Sequence, residues 1–256
     1  MNTETASHAE LVQWVHYLPI LTTLFSIFFF IVLARRYSEK GGGLHLLWWC
    51  AGVAAYGIGT AVESTVTVFS NTPLLTKAWY AFGAYLGGYP LAQGSVYLLF
   101  RRRTAHILTA ISLPFVIVGV IGSFLSPVDL SMMEPHRPTG AVLTWRWLKI
   151  MVPFVNLYAA LFLIGGAVYS ALRYLRVKAP AALAQGNGLI AFGALLPGIG
   201  GSFARYGHVE ILYVTELIGI LFIYAGYRMC VKVSREQRVA ARGDGEAQGP
   251  GAQAAP

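Results

Sequence analysis

Charge is what this 256-residue chain has least of. Only 12% of its residues are charged, against 56% that are hydrophobic, which excludes both a disordered chain and an ordinary soluble domain. Aspartate is nearly missing: Asp129 and Asp244 are the only two, and neither lies in an apolar block. An intramembrane hydrolase built on a His-Asp pair therefore has no aspartate to use. Two cysteines, Cys50 and Cys230, are too few for a disulfide scaffold, and their positions near helix ends read as packing. The histidines His8, His16, His45, His106, His136 and His208 are scattered, with no pair at helical spacing, so no metal motif appears. No glycine-rich phosphate loop is present. No Lys or Arg precedes the first apolar run, which argues for a retained helix over a cleaved signal peptide. Catalysis has no support beyond two glutamates, and the composition calls for no cofactor.

What the chain does have is apolar length, in seven blocks. The fullest runs from Lys77 to Arg103, with Trp79 and Tyr80 marking one interface and Arg101, Arg102 and Arg103 the other. About twenty uncharged residues lie between, enough to cross roughly 30 Å of hydrocarbon. Gly83, Gly87, Gly94, Pro90 and Gln93 within it predict close helix neighbours. The other spans are placed at about 11–33, 44–66, 105–125, 147–172, 182–203 and 209–229. Prolines at 19, 90, 114, 153 and 197 fall inside five of the seven and predict kinks. The expected fold is all-α, a polytopic seven-transmembrane-helix bundle, divided as residues 1–10 outside, 11–234 in the membrane, and 235–256 as a disordered cytoplasmic tail.

The net charge of +8 does not point to nucleic acid, because the basic residues cluster at the ends of apolar blocks. With the N-terminus outside, fourteen of the 19 Lys and Arg fall on the inner side: Arg35, Arg36, Lys40, Arg101, Arg102, Arg103, Arg173, Arg176, Lys178, Arg228, Lys232, Arg235, Arg238 and Arg242. Only Lys77, Arg137, Arg146, Lys149 and Arg205 fall outside. That bias predicts the C-terminus in the cytoplasm and localisation to the bacterial inner membrane.

Polar groups at membrane depth are costly and mark the candidate site. Glu63 lies near the outer end of helix two, and Glu216 seven residues into helix seven. Tyr56 and Glu63 share one helix face, as do Tyr213 and Glu216. The spacing predicts an outward-opening polar pocket lined by Glu63, Tyr80, Lys149, Asn156, Tyr213 and Glu216. An alternative stays open, in which Glu216 pairs with Lys149 or Arg205 and locks helices five to seven together. Gln93 and Asn187 form a second polar level in the inner half, read as interhelical hydrogen bonding. The loop 126–144 either caps the pocket or lies on the membrane through Trp145 and Trp147.

Helix two carries Tyr56-Gly57-Ile58-Gly59 and helix six Pro197-Gly198-Ile199-Gly200, which suggests that helices one to three repeat as five to seven. The pattern from Glu63 through K-A-W-Y-x-x-G-A-Y-L to L-A-Q-G-x-V-Y-L-L resembles an uncharacterised group of bacterial seven-helix membrane proteins. It also resembles, more loosely, the seven-helix sensory region of bacterial histidine kinases. The second resemblance implies a sensor, here without a catalytic output module of its own. Microbial rhodopsins are similar in topology but carry a retinal-binding lysine in helix seven, and this chain has none between Val209 and Met229. The first functional expectation is thus a sensor or ligand-binding protein in contact with membrane lipids, with a small-molecule or lipid ligand and a cytoplasmic partner protein. A small carrier using the three-plus-one-plus-three repeat is the alternative, and an integral-membrane enzyme the third.

Overall fold

A chain this apolar must satisfy its backbone groups internally, as helices or a closed barrel do, and helices are what form. The structure, a computed structural model, describes residues 14–135, 137–204 and 206–247, with 238 and 241–247 as backbone only. The N-terminal segment 1–10, the start of the first predicted span, His136 and Arg205 lie outside these residues.

Seven helical segments follow one another: α1 (Leu18–Glu39), α2 (Leu44–Phe69), α3 (73–99), α4 (Arg102–Leu125), α5 (Arg146–Arg176), α6 (Ala181–Ala204) and α7 (Val209–Ala247). Six of them, all but α3, are long and apolar enough to cross a membrane, and the protein is a multi-pass membrane protein by that measure. No strand forms among the described residues.

The segment α3 departs from the expected continuous span. It consists of a helix Pro73–Trp79, a wide turn of π-helix Tyr80–Tyr85, and a second helix Tyr89–Leu99. Leu86 N–H reaches back five residues to Ala81 O (3.1 Å). The second helix then starts at Tyr89 behind an N-cap at Gly88, with Pro90, which has no N–H to give, in its first turn. The glycines read as packing sites thus also break the helix. A second π-turn, Ala160–Ile164, interrupts α5 and packs against the second half of α3. Prolines divide accordingly: Pro114, Pro153 and Pro197 sit inside helices, whereas Pro19 and Pro90 occupy first-turn positions, where a missing N–H costs nothing.

The last helix is longer than predicted. Backbone helix continues from Val209 to Ala247, so 235–247 is helical where a disordered tail was expected. Arg235, Arg238 and Glu236 are good helix formers, and a polar composition does not forbid extension of an already nucleated helix.

Packing runs as a ring: α1 touches α2 and α7, α2 touches α3, α3 touches α5, and α5 touches α6, which lies along α7. The segment α4 covers α3 and α5 from outside the ring. The α6–α7 seam is glycine on glycine. A Cβ added to Gly193 would stand 2.6 Å from Gly219 O, and one on Gly219 2.7 Å from Gly193 O. Gly186 and Gly226 meet the same way one turn-pair further along. Such close approach trades side-chain contact for backbone van der Waals contact, the usual means of association in lipid.

The two ends of the bundle differ. One gathers the turn at Gly41, Gly42 and Gly43, all at positive φ, with Arg36, Glu39, Lys40 and Arg235 around a small pocket. The other carries loop 126–144 and the α2–α3 and α6–α7 turns. We refer to them as the basic end and the loop end.

Candidate functional site

The elements α2 and α7 each bring one glutamate inward about 10 Å below the loop end, judged from the helical rise over six or seven residues. Glu63 is 2% exposed. Its Oε1 accepts a hydrogen bond from Trp79 Nε1 (2.7 Å). The Glu216 carboxyl lies close to that of Glu63. Glu63 Oε2 and Glu216 Oε2 are both buried and receive no hydrogen bond from any other group.

Tyrosines frame the pair. Tyr213, 0% exposed, lies on α7 close enough to feel both carboxylates, and its buried hydroxyl also lacks a partner. Tyr56 turns its hydroxyl to Glu216 O (2.9 Å), tying α2 to α7. His16 meets the Tyr213 ring edge-on, with centroids 5.8 Å apart. Thr60 bonds Thr23 (2.9 Å), closing α1 against α2 on the same level.

The six residues expected to line one pocket separate into two groups. Glu63, Tyr213 and Glu216 come together. Tyr80 is buried elsewhere, edge-on to Tyr85 and against Gly140 of the loop. Lys149 is exposed and donates to Ala141 O (3.0 Å), so it neither lines the site nor pairs with Glu216. Asn156 is exposed on the outer face of α5. The reason is geometric: α5 contacts α3, α4 and α6 but stands across the ring from the α2–α7 pair. Pairing of Glu216 with Arg205 falls on a residue outside those described.

Above the cluster, loop 126–144 fastens the loop end. Asn71 donates from Nδ2 to Glu134 O (3.1 Å) and Arg137 O (3.3 Å), its N–H to Pro135 O (2.6 Å), and its Oδ1 accepts from Thr76 (2.8 Å). Arg137 bonds Gly207 O (2.8 Å) and Glu134. One loop therefore joins the α2–α3 turn to the α6–α7 turn, the ends of the two glutamate-bearing helices. Trp145 and Trp147 stack (5.8 Å), with Trp147 against Gly122.

No family model, curated protein or solved structure matches this chain. The arrangement of the site itself therefore carries the functional argument.

Two further features lie away from the carboxyls. A chain of hydrogen bonds joins Tyr158 to Gln93 (2.7 Å), Gln93 to Thr109 (2.6 Å), Thr109 to Tyr97 (3.1 Å) and Tyr97 to His106 (2.9 Å) near the basic end. Asn187 bonds Leu183 O (2.8 Å) and lies beside Cys230 Sγ (3.5 Å). Gln93 thus makes the interhelical bonds expected of it, whereas Asn187 bonds first to its own helix and reaches across only to the Cys230 sulfur. Between α3, α4 and α5 an apolar groove of about 410 Å³ is lined by residues that include Tyr89, Phe115, Met151 and Tyr158.

Sequence reading missed Trp79 as a site residue, because its place beside Tyr80 reads as an interface anchor. It also missed Asn71 and Arg137, whose roles depend on a loop that returns across 60 residues of chain. Helical spacing could have found the Tyr56–Glu63 and Tyr213–Glu216 faces, and did.

Proposed function

We propose that this protein is an integral membrane sensor or ligand-binding protein whose recognition site is the cluster of Glu63, Glu216 and Tyr213. One observation carries the reading: two carboxyls on different helices lie close together, and a buried oxygen of each, like the buried hydroxyl of Tyr213, stays without a partner. An orphaned buried polar group costs about 1–3 kcal/mol. Three in one place are kept where they serve something other than stability.

The path from site to far end is α7. Below Glu216 the same helix places Tyr227 against Phe29 (5.5 Å) and Trp49 (6.4 Å), with the Arg36 guanidinium over its ring (5.7 Å). A change at the carboxyls is thereby offered to the basic end. The lysine and arginine bias supports placing that end in the cytoplasm of a bacterial cell, against anionic head groups and a partner protein.

The test is amide hydrogen exchange on the full chain in lipid nanodiscs, comparing wild type with Glu216→Gln. The reading expects exchange to change both in loop 126–144 and at residues 228–237. A change confined to the turn of helix around residue 216 overturns it.

A carrier is the second reading, favoured by polar groups at two depths: the carboxyl cluster and the Gln93 network reaching His106. It requires solute flux in reconstituted vesicles that stops on substitution of Gln93 or Asn187. Absence of flux under any imposed gradient removes it.

A further inference from the structure

The segment α4 stands outside the ring, buried over only 22% of its span, the smallest share of the six. Where it leans on α3 and α5 it does not close the seam, and the groove of about 410 Å³ remains. The floor of that groove is buried at Tyr89, Val116 and Val155, whereas its rim at Ile111, Phe115 and Phe154 is exposed. The rim lies in the middle of α4 and the first half of α5, so the groove opens sideways, toward lipid.

Its walls restrict what can enter. Tyr158 donates its hydroxyl to Gln93 (2.7 Å), Ser112 donates to Leu108 O (2.7 Å), and the hydroxyls of Tyr89 and Ser112 bond each other (2.9 Å). No hydroxyl hydrogen among the lining residues is left to donate, so a polar occupant would be buried without a partner. A second helix fits poorly too. Helices in lipid associate through small residues that let backbones approach, and this rim is isoleucine and phenylalanine. A flexible alkyl chain meets both conditions.

Position identifies the owner of that chain. Stepping back by sevens along α4 from Phe115 passes Leu108 and reaches Arg101, with Arg102 and Arg103 beside it. All three are exposed, and no acidic side chain pairs with them among the described residues. By helical rise, Ile111 lies about 14 Å and Phe115 about 20 Å beyond Arg102. One leaflet of a roughly 30 Å hydrocarbon core is about 15 Å deep. A lipid with its head group at the arginines therefore lays the end of an acyl chain in the groove, and three cations select an anionic head group.

We propose that the groove between α3, α4 and α5 binds one acyl chain of an anionic phospholipid whose head group sits on Arg101, Arg102 and Arg103. The site is separate from the carboxyl cluster and does not depend on it. Filling it holds α4 to the ring, against the tyrosine whose hydrogen bonds lead through Gln93 to His106.

The experiment places the full chain in phosphatidylcholine nanodiscs doped with a phospholipid that carries a diazirine near the end of one acyl chain. The probe is phosphatidylglycerol in one arm and phosphatidylcholine with the same chain in the other. After illumination, peptide mass spectrometry compares labelling at 111–116 and 151–158 with labelling at Phe192 and Leu195, exposed residues in the middle of α6. The groove-to-α6 ratio should be at least about fivefold higher for phosphatidylglycerol, the worth of one arginine against an anionic head group. Replacing Arg101, Arg102 and Arg103 together by Gln should bring the two lipids level. Ile111→Trp, which enlarges an exposed rim residue, should lower labelling at 151–158 and leave Phe192 and Leu195 unchanged. Equal ratios for the two lipids in wild type, or a preference that survives the arginine substitutions, overturn the proposal. Undiminished labelling at 151–158 in Ile111→Trp does so too. A groove that neither lipid labels is covered by another copy of the chain, and that outcome overturns the proposal as well.

Discussion

Trp79 shows how one side chain can serve two purposes that sequence cannot separate. Its neighbours Tyr80 and Lys77 suit an interfacial belt, yet its indole N–H turns inward to Glu63. A hydrogen bond to an ionised carboxyl is worth about 1.5–3 kcal/mol, and burial leaves Glu63 nothing to replace it with. Trp79→Phe should therefore lower stability by about that amount in a reversible detergent unfolding titration. A loss below about 0.5 kcal/mol would mean that the bond is not formed. A residue of the loop gives a second, independent expectation. Asp129 accepts from the hydroxyl (2.6 Å) and N–H (3.0 Å) of Ser131, and these bonds hold its carboxyl below the usual aspartate value of 3.8. The folded form is thus favoured above that value, and the advantage fades as pH falls through the lower folded pKa. Amides of 131–133 should exchange faster in wild type once the pH falls through that lowered range, relative to their own intrinsic rates, and Asp129→Ala should show the same fraying at neutral pH. The glutamates were legible as a pair because each shares a helix face with a tyrosine, Glu63 seven residues from Tyr56 and Glu216 three from Tyr213. Their proximity was not, since nothing local states that α2 and α7 are neighbours.

Among the elements, α6 and α7 depend on glycine spacing more than on any apolar stripe. Gly186, Gly193 and Gly200 recur every seven residues on α6, and Gly219 and Gly226 do so on α7. That repeat is legible in the sequence, as are Gly83, Gly87 and Gly94 of α3, but which helix it faces is not. A seven-residue period keeps one seam facing its partner along both helices. The seam admits no Cβ at Gly193, where the obstacles are Gly219 O, the Ile223 N–H and Phe222 Cβ. By contrast Gly198 and Gly201, on the same helix, have nothing within 4 Å. Gly193→Ala should cost about 1–3 kcal/mol, as overpacking against backbone does. Gly198→Ala should be neutral or stabilise by up to about 1 kcal/mol through helix propensity. Equal effects of the two, measured in one unfolding assay, would refute the seam. The interruption of α3 was half legible: Pro90 and its glycines announce a break, whereas the compensating π-turn depends on how Tyr80 and Tyr85 are packed by the loop and α5.

At the scale of the molecule, the ring order joins residues that sequence keeps apart, and loop 126–144 is where that joining is concentrated. Apolar block length was enough to expect seven helices, since the bilayer fixes how long a span must be. Which helices adjoin was not, because lipid-facing and helix-facing surfaces are equally apolar. Lys149 and Asn156 were misplaced for that reason: correct depth, wrong side of the ring. The loop resolves the ambiguity by tying the α2–α3 turn, through Asn71, to the α6–α7 turn, through Arg137 and Gly207. It therefore governs how far the ends of α2 and α7 can part above Glu63 and Glu216. Arg137→Ala removes the bond to Gly207 O and the ion pair with Glu134 together, while leaving every contact of the carboxyl pair in place. Amides at 206–208 and 70–72 should then exchange at least tenfold faster in nanodiscs, and water should reach the pair more readily. Faster hydrogen–deuterium exchange of the Trp79 indole N–H, which is bonded to Glu63, would register that access. Faster exchange in the turns with no change at the indole would mean that the loop fastens the bundle's end without controlling entry to the site.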